Sequence, residues 1–378
     1  MIGSRLANPE RTRYDGLDAI RAGAMLLGLA YHATYAWFPD VGAWYLVADA
    51  SPVSALTTLT GLLHAFRMQV FFALSGFFSH LVFERRGARG FLIDRGRRLV
   101  LPFAVALPLV LLLDVALRQW SHSLGLMSPA FKDGTVFLFV PRHLWFLVYL
   151  FTLCVAAWAV PKWDAPARWV KSALRFPPVL ALVLVAPTCV ALFFHPSNRP
   201  DEALWPLPFE LFHFGLFYAV GWWCWPARET SFEPLRRQAP LFLGAGLALG
   251  LFIFRDSLQY QLRGQVLAGV VAWLMTLGAF GLAFRVKAKE RPWLRFLVEA
   301  SYWVYLVHYP VVQALQVLFA QVPAPGLLEY SATVLLTFGF ALLTFRLLVW
   351  RTPLGPWLGV RPRSCPSSCS RWWWRRSW

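Results

Sequence analysis

"LDAIRAGAMLLGLAYHATYAW", residues 17–37, is a nearly continuous apolar run that nevertheless carries Arg21 and His32. As a helix it would rise about 30 Å, the thickness of a bilayer's hydrocarbon core. An ionisable side chain at that depth costs several kcal/mol unless it is paired or hydrated. The stretch therefore reads as a membrane span with a reason to keep two polar groups.

The rest of the chain repeats the apolar theme. Its 378 residues are 58% hydrophobic and only 15% charged, with a mean hydropathy of +0.52, outside the balance of soluble domains. Ten apolar segments, roughly 17–37, 61–83, 99–117, 137–160, 177–195, 207–225, 239–255, 265–284, 296–318 and 327–350, read as spans. The expected architecture is all-α, a polytopic integral membrane helical bundle of about ten transmembrane helices. The longest connection holds about twenty residues, too few for a soluble domain. The chain thus divides into an N-terminal segment 1–16, a transmembrane domain 17–350 and an Arg/Trp-rich tail 351–378. Residues 1–16 lack the charged-then-apolar pattern of a cleaved signal, so the first span is expected to remain in the mature protein.

The net charge of +17 would suit nucleic acid, but its placement points elsewhere. The N-terminus, the loops 84–98, 161–176, 226–238 and 285–295, and the tail hold 27 Lys and Arg residues, against five in the alternate connections. That bias puts both termini in the cytoplasm. Membrane lipids are the expected surroundings and no nucleic-acid partner is expected. Of the five cysteines, Cys154, Cys189 and Cys224 lie in apolar segments as small buried thiols, and Cys365 and Cys369 lie in the tail without zinc-site spacing. No metal site is expected. "GAGLALG" at 244–250 follows no strand and "SGFF" at 75–78 lacks the glycine of a nucleophile elbow, so both read as helix packing. No internal repeat is visible, which weakens a carrier reading.

Arg21 and His32 are eleven residues apart, three helical turns plus about 20°, and so share one face about 16 Å apart along the axis. Counted from the cytoplasmic border, His32 lies about 22 Å deep. In "LLHAFRMQVFFALSGFF" Arg67 falls about 21 Å from the same border, with His64 one turn away on its face; in "SYWVYLVHYP" His308 falls about 18 Å deep. Three spans thus bring polar groups to one level, a polar cavity or a cluster that pins helices. In "ERRGARGFLIDRGRRLVLP" Arg95 and Arg98, spaced i, i+3, stand at the cytoplasmic mouth of the third span. Their guanidinium groups suit phosphates of a nucleotide donor or of lipid headgroups equally.

"LDAIRAGAMLLGLAYH", with its arginine, ten residues and histidine, resembles the signature of the membrane acyltransferase 3 family. "FFALSGFF", "DRGRRLVLP", "HLWFL" and "SYWVYLVHYP" are similar to further landmarks of that family in the same order, covering residues 14–350. The resemblance is greatest to a branch associated with succinyl transfer to periplasmic glucans. It implies an inner-membrane enzyme with no permanently bound cofactor, an acyl-CoA co-substrate (succinyl-CoA or acetyl-CoA) presented from the cytoplasm, and a periplasmic glucan or other surface glycan as acceptor. It implies that Arg21 and His32 are the essential pair, that Arg95 and Arg98 form the Arg-x-x-Arg motif at the cytoplasmic mouth and that His308 is a landmark, with Arg67, His143 and Trp145 at branch-typical positions. The candidate catalytic set is therefore His32, Arg21, His308 and Arg67, with Arg95 and Arg98 for the donor and His64, His143 and Trp145 as acceptor-side or supporting candidates. The chemistry expected of such a set is a general base at His32 acting on a glycan hydroxyl, with Arg67 or His308 hydrogen-bonding the carbonyl oxygen. An acyl-histidine relay is the rival route. A lipid-linked or small-molecule acceptor, and a flippase for an anionic substrate, are the alternative functions. Oligomeric state is not legible.

Overall fold

The computed structural model describes residues 15–38, 45–126, 140–159, 164–194, 205–228, 232–255, 262–285, 292–358 and 360. Twelve α-helices and no strand occur among them. They are α1 (Asp15–Ala33), α2 (Ser54–Arg95), α3 (Leu101–Ser123), α4 (Trp145–Ala159), α5 (Asp164–Ala173) and α6 (Pro177–Phe194). The second half holds α7 (Pro208–Ala227), α8 (Glu233–Arg255), α9 (Leu262–Arg285), α10 (Pro292–Phe319), α11 (Gly326–Thr344) and α12 (Leu354–Trp357). The outer parts of the N-terminal segment and the tail (1–14 and 361–378, with Cys365 and Cys369) lie outside the described residues.

Each of the ten apolar segments contains a helix, with 137–139, 160 and 195 outside the described residues. Among the described residues five helical segments are long and apolar enough to cross a membrane: Ser54–Ser123, Arg142–Ala159, Glu233–Arg255, Gly264–Arg285 and Gly326–Val349. The first runs for 70 residues and contains two of the expected spans. Helix α1 is not in that set, as Asp18, Arg21 and His32 within it dictate. The outward faces of α3, α6 and α11 are lined by exposed Val105, Leu112, Leu182 and Leu335, an apolar coat that water would not tolerate and lipid would cover. The chain is a helical membrane protein.

The stretch 84–98, expected as a loop, is helical on both sides of one break. Gly87 adopts φ 67°, a left-handed conformation that glycine takes without steric penalty. There the chain turns back on itself. The Phe83 and Phe91 rings are 5.6 Å apart and Arg95 Nη2 donates to the Phe78 carbonyl at 3.3 Å, whereas seventeen residues of unbroken helix would span about 25 Å. A π-helical turn, Gly96–Val100, then leads into α3.

Helix α1 sits centrally, packed on α2, α9, α10 and α11. Helices α2 and α7 approach at backbone distance. A Cβ on Gly76 would strike the Tyr218 carbonyl, and one on Gly221 the Ala73 carbonyl; small residues permit this contact, where packing rather than the hydrophobic effect joins helices. Gly246 and Gly250 of "GAGLALG" similarly face Met275 and Leu62. Helix α5, within a stretch expected as a loop, is a short amphipathic helix lying on α6 and α7, with Val170 buried and Trp169 exposed.

Candidate active site

The polar residues of α1 mark two clusters at its opposite ends. At the C-terminal end, three imidazoles converge: the His32 ring centroid lies 5.3 Å from His308 and 6.4 Å from His143, and His143 lies 5.0 Å from His308. His143 and His308 are buried, at 4% and 1% exposure. Tyr309 stacks on His143 at 5.0 Å and meets the His32 ring edge-on at 5.2 Å. The Tyr31 ring adjoins His32, lies 4.5 Å beneath the Arg67 guanidinium carbon, and its hydroxyl is 3.1 Å from His64 Nδ1. His64 and Arg67 thus join the cluster from α2, His308 from α10 and His143 from the 3₁₀ turn before α4.

Local backbone chemistry aims these groups. His308 Nδ1 approaches the carbonyls of Tyr305 (2.8 Å) and Val304 (3.1 Å). A carbonyl only accepts, so Nδ1 carries the proton and the neutral ring presents its Nε2 lone pair. Neither His308 Nε2 nor His32 Nδ1 finds a hydrogen-bond partner among the described residues. Pro310 lacks the N–H that would pair with the Leu306 carbonyl, and that carbonyl approaches the His143 ring. Tyr305 donates to the His143 backbone oxygen at 2.8 Å.

The residue before His143 shows how that ring is held. Arg142 has φ 49°, the sole positive φ at a non-glycine among the described residues. Such a conformation costs about 1–3 kcal/mol and persists where the surroundings impose it. Here the restraint is Asp114 of α3, 1% exposed, which pairs with Arg142 Nη2 at 2.8 Å and with Arg118 Nε at 2.8 Å, while Gln313 Nε2 donates at 3.3 Å. Asp114, Arg118, Arg142 and Gln313 did not emerge from the sequence reading, although a lone carboxylate inside "LVLLLDVALRQW" is the kind of signal that marks an occupied polar interior. Gly28 is another residue the sequence did not single out. A Cβ there would lie 2.5 Å from Arg67 Nη1, so the bare glycine backbone makes room for the guanidinium.

At the N-terminal end of α1, Arg21 pairs with Asp18 at 2.9 Å and lies 5.1 Å from the Phe78 ring. Arg95 and Arg98 are close enough to Arg21 to interact with it electrostatically. Asp94 gathers Arg86 (2.9 Å), Arg98 (3.1 Å) and Arg95 (3.9 Å). The Tyr302 hydroxyl donates to the Arg98 carbonyl at 2.8 Å and its ring stacks on Tyr305. One face of α10, from Tyr302 through Tyr305 to His308, therefore links the guanidinium cluster to the imidazoles.

The structure thus brings Arg67, His64, His143 and His308 to His32, and Arg95 and Arg98 to Arg21. Trp145 stands apart, packed among Phe72, Tyr149 and Phe214. Among the described residues no three His, Cys, Asp or Glu side chains are placed to hold a metal ion. The arrangement offers imidazole bases beside a buried cation at one end and a cluster of guanidinium groups at the other.

The family model described as an acyltransferase domain matches residues 14–346. Glucans biosynthesis protein C of Salmonella paratyphi B is 25% identical over 361 residues, covering 89% of this chain and 92% of the relative. The proteins of the same name from Salmonella enteritidis and Salmonella heidelberg match to the same extent. No solved structure matches the chain. With two polar clusters joined by one helix face and a domain match over most of its length, the chain belongs to the acyltransferase 3 family.

Proposed function

We propose that this chain is an inner-membrane O-acyltransferase that moves an acyl group, succinyl or acetyl, from a cytoplasmic acyl-CoA to hydroxyls of a periplasmic glucan or other surface glycan. The carrying observation is the grouping of His32, His143, His308 and Arg67 at one end of α1, with Arg21, Arg95 and Arg98 at the other. Ten spans with both termini cytoplasmic fit the 27-to-five charge bias. In that orientation the guanidinium cluster meets the cytoplasm, where it suits the phosphates of CoA. The imidazoles lie toward the periplasmic side, where a glycan enters. The name of the relatives, glucans biosynthesis protein C, agrees with a glucan acceptor.

In the proposed reaction His32 takes the proton of the acceptor hydroxyl as its oxygen bonds to the thioester carbonyl carbon. The carbon–sulfur bond then breaks, and the proton passes to the departing thiolate, so an ester and free CoA thiol result. Imidazole suits this exchange near neutral pH. His308 stands beside His32 with its Nε2 lone pair available to orient or relay, and can hydrogen-bond the developing oxyanion only once protonated. Arg67 is a donor in every state. The test is transfer of labelled acyl groups from acyl-CoA to periplasmic glucan by the full chain in membrane vesicles, with His32→Gln alongside. Transfer by the wild type and loss in the variant supports the reading. Donor-independent movement of an anion with no ester formed would replace it with a transporter.

A further inference from the structure

Arg67 differs from the partly enclosed arginines of the bundle. Arg118 and Arg142 share Asp114, and Arg95 and Arg98 share Asp94. Arg67 is buried, at 8% exposure, yet no carboxylate pairs with it among the described residues. Its neighbours are the Tyr31 ring at 4.5 Å and the more distant Tyr35 and Tyr305, and its Nε has no hydrogen-bond partner among the described residues. A buried guanidinium without an anion is costly to keep. A tyrosine face offsets part of that cost, but leaves the planar fork of donors unsatisfied. That fork matches a carboxylate in two parallel hydrogen bonds.

Its position narrows the ligand. Arg67 Nη1 occupies the space a side chain at Gly28 would take, and Gly28 precedes His32 by four residues on the same face of α1. The guanidinium therefore sits one turn, about 6 Å along the axis, from the His32 position. The phosphates of a nucleotide donor have Arg95 and Arg98 at the other end of the helix, so the anion at Arg67 belongs to the acyl end. In a four-carbon dicarboxylic acyl group, three C–C bonds of about 1.5 Å place the carboxylate carbon about 4 Å from the reacting carbonyl carbon. Adding hydrogen-bond lengths at each end covers the one-turn offset; a two-carbon acyl group has nothing to reach it.

We infer that Arg67 is the specificity-determining residue of this enzyme, seating the free carboxylate of a short dicarboxylic acyl group while the carbonyl lies against His32. The inference rests on the acyltransferase reading and decides between the acyl groups that reading leaves open. With Arg67 so engaged, the oxyanion is left to His308, which can hydrogen-bond it only once protonated.

The test compares donors on the full chain in membrane vesicles: succinyl-CoA, butyryl-CoA (equal in length, with a methyl in place of the carboxylate) and acetyl-CoA. A site built to hydrogen-bond one group rejects the analogue lacking it by about 10⁴-fold; the wild type is expected to favour succinyl over butyryl by at least about 10²-fold. Arg67→Gln is expected to collapse that ratio, and Arg67→Lys to restore part of it. The ratio is taken within one preparation, so the amount of folded variant cancels. A wild type that transfers butyryl or acetyl as well as succinyl overturns the inference and leaves the acyltransferase reading standing, as does Arg67→Gln with an unchanged ratio. A wild type that transfers none of the three overturns both. If Arg67→Gln does not accumulate, the wild-type donor series and Arg67→Lys decide.

Discussion

Gly28→Ala separates the fold of α1 from the site it carries. The added Cβ would lie 2.5 Å from Arg67 Nη1 and 3.7 Å from its Cζ, with no backbone atom in the way. Ordinary contact needs about 3.5 Å, so the tip of the guanidinium must retreat about 1 Å while the helix stays where it is. Alanine in a helix interior is favoured over glycine by about 0.5–1 kcal/mol, so thermal stability is expected to hold or rise. A displacement of about 1 Å at a group that positions substrate costs about 10²-fold in rate, or about 2.7 kcal/mol of barrier. Gly23→Ala is the control, because its Cβ would meet nothing within 4 Å; it receives the same helix-propensity gain without touching Arg67. The assay pairs acyl-transfer rate at matched membrane level with the unfolding midpoint in detergent. Gly28→Ala with wild-type activity and raised stability would refute the claim that the bare backbone at 28 places Arg67.

Other perturbations address the supports around the site. Asp114→Asn leaves Arg118 and Arg142 without their shared carboxylate and is expected to cost about 3–5 kcal/mol, read as a lowered unfolding midpoint or loss of folded protein. Arg142→Gly keeps the left-handed backbone without strain but removes one ion pair, so it is expected to be milder than Asp114→Asn; equal damage would show that Arg142 contributes more than the restraint on His143. Gly221→Ala drives a methyl into the Ala73 carbonyl, and overpacking of about 1–3 kcal/mol or more is expected to lower the folded fraction in membranes. His308→Ala removes the imidazole beside His32 and is expected to lower turnover by about 10²–10⁴-fold. A variant that turns over normally would dismiss His308 from the chemistry.

Helix positions were legible because apolar length is written directly into the chain: each of the ten apolar segments contains a helix. What escaped were features set by single residues or by contacts distant in sequence. The reversal at Gly87 lies in an arginine-rich stretch that reads as a loop, yet one positive φ suffices to turn two helical pieces against each other. Helix α5 is too short and too polar for a span-finding reading, and shows itself through Val170 packed inward and Trp169 outward. At the site, Arg21 and His32 followed from helical periodicity and the expense of polar groups in lipid, and counting depth placed Arg67 and His308 at one level. The place of His143 at the site came from resemblance alone, because nothing local in "PRHLWF" reveals that Asp114, 28 residues earlier, holds Arg142. The void at Gly28 is equally invisible, since its meaning depends on an arginine from another helix.

The most direct test of the central claim is mass spectrometry of periplasmic glucans from cells lacking their own glucan acyltransferase, complemented with this chain or with His32→Ala at matched membrane levels. Glucans that gain the mass of whole acyl groups with the wild type, and none with the variant, are the expected result. Unmodified glucans despite inserted wild-type protein would contradict the acceptor, and acylation that survives in His32→Ala would contradict the role given to His32.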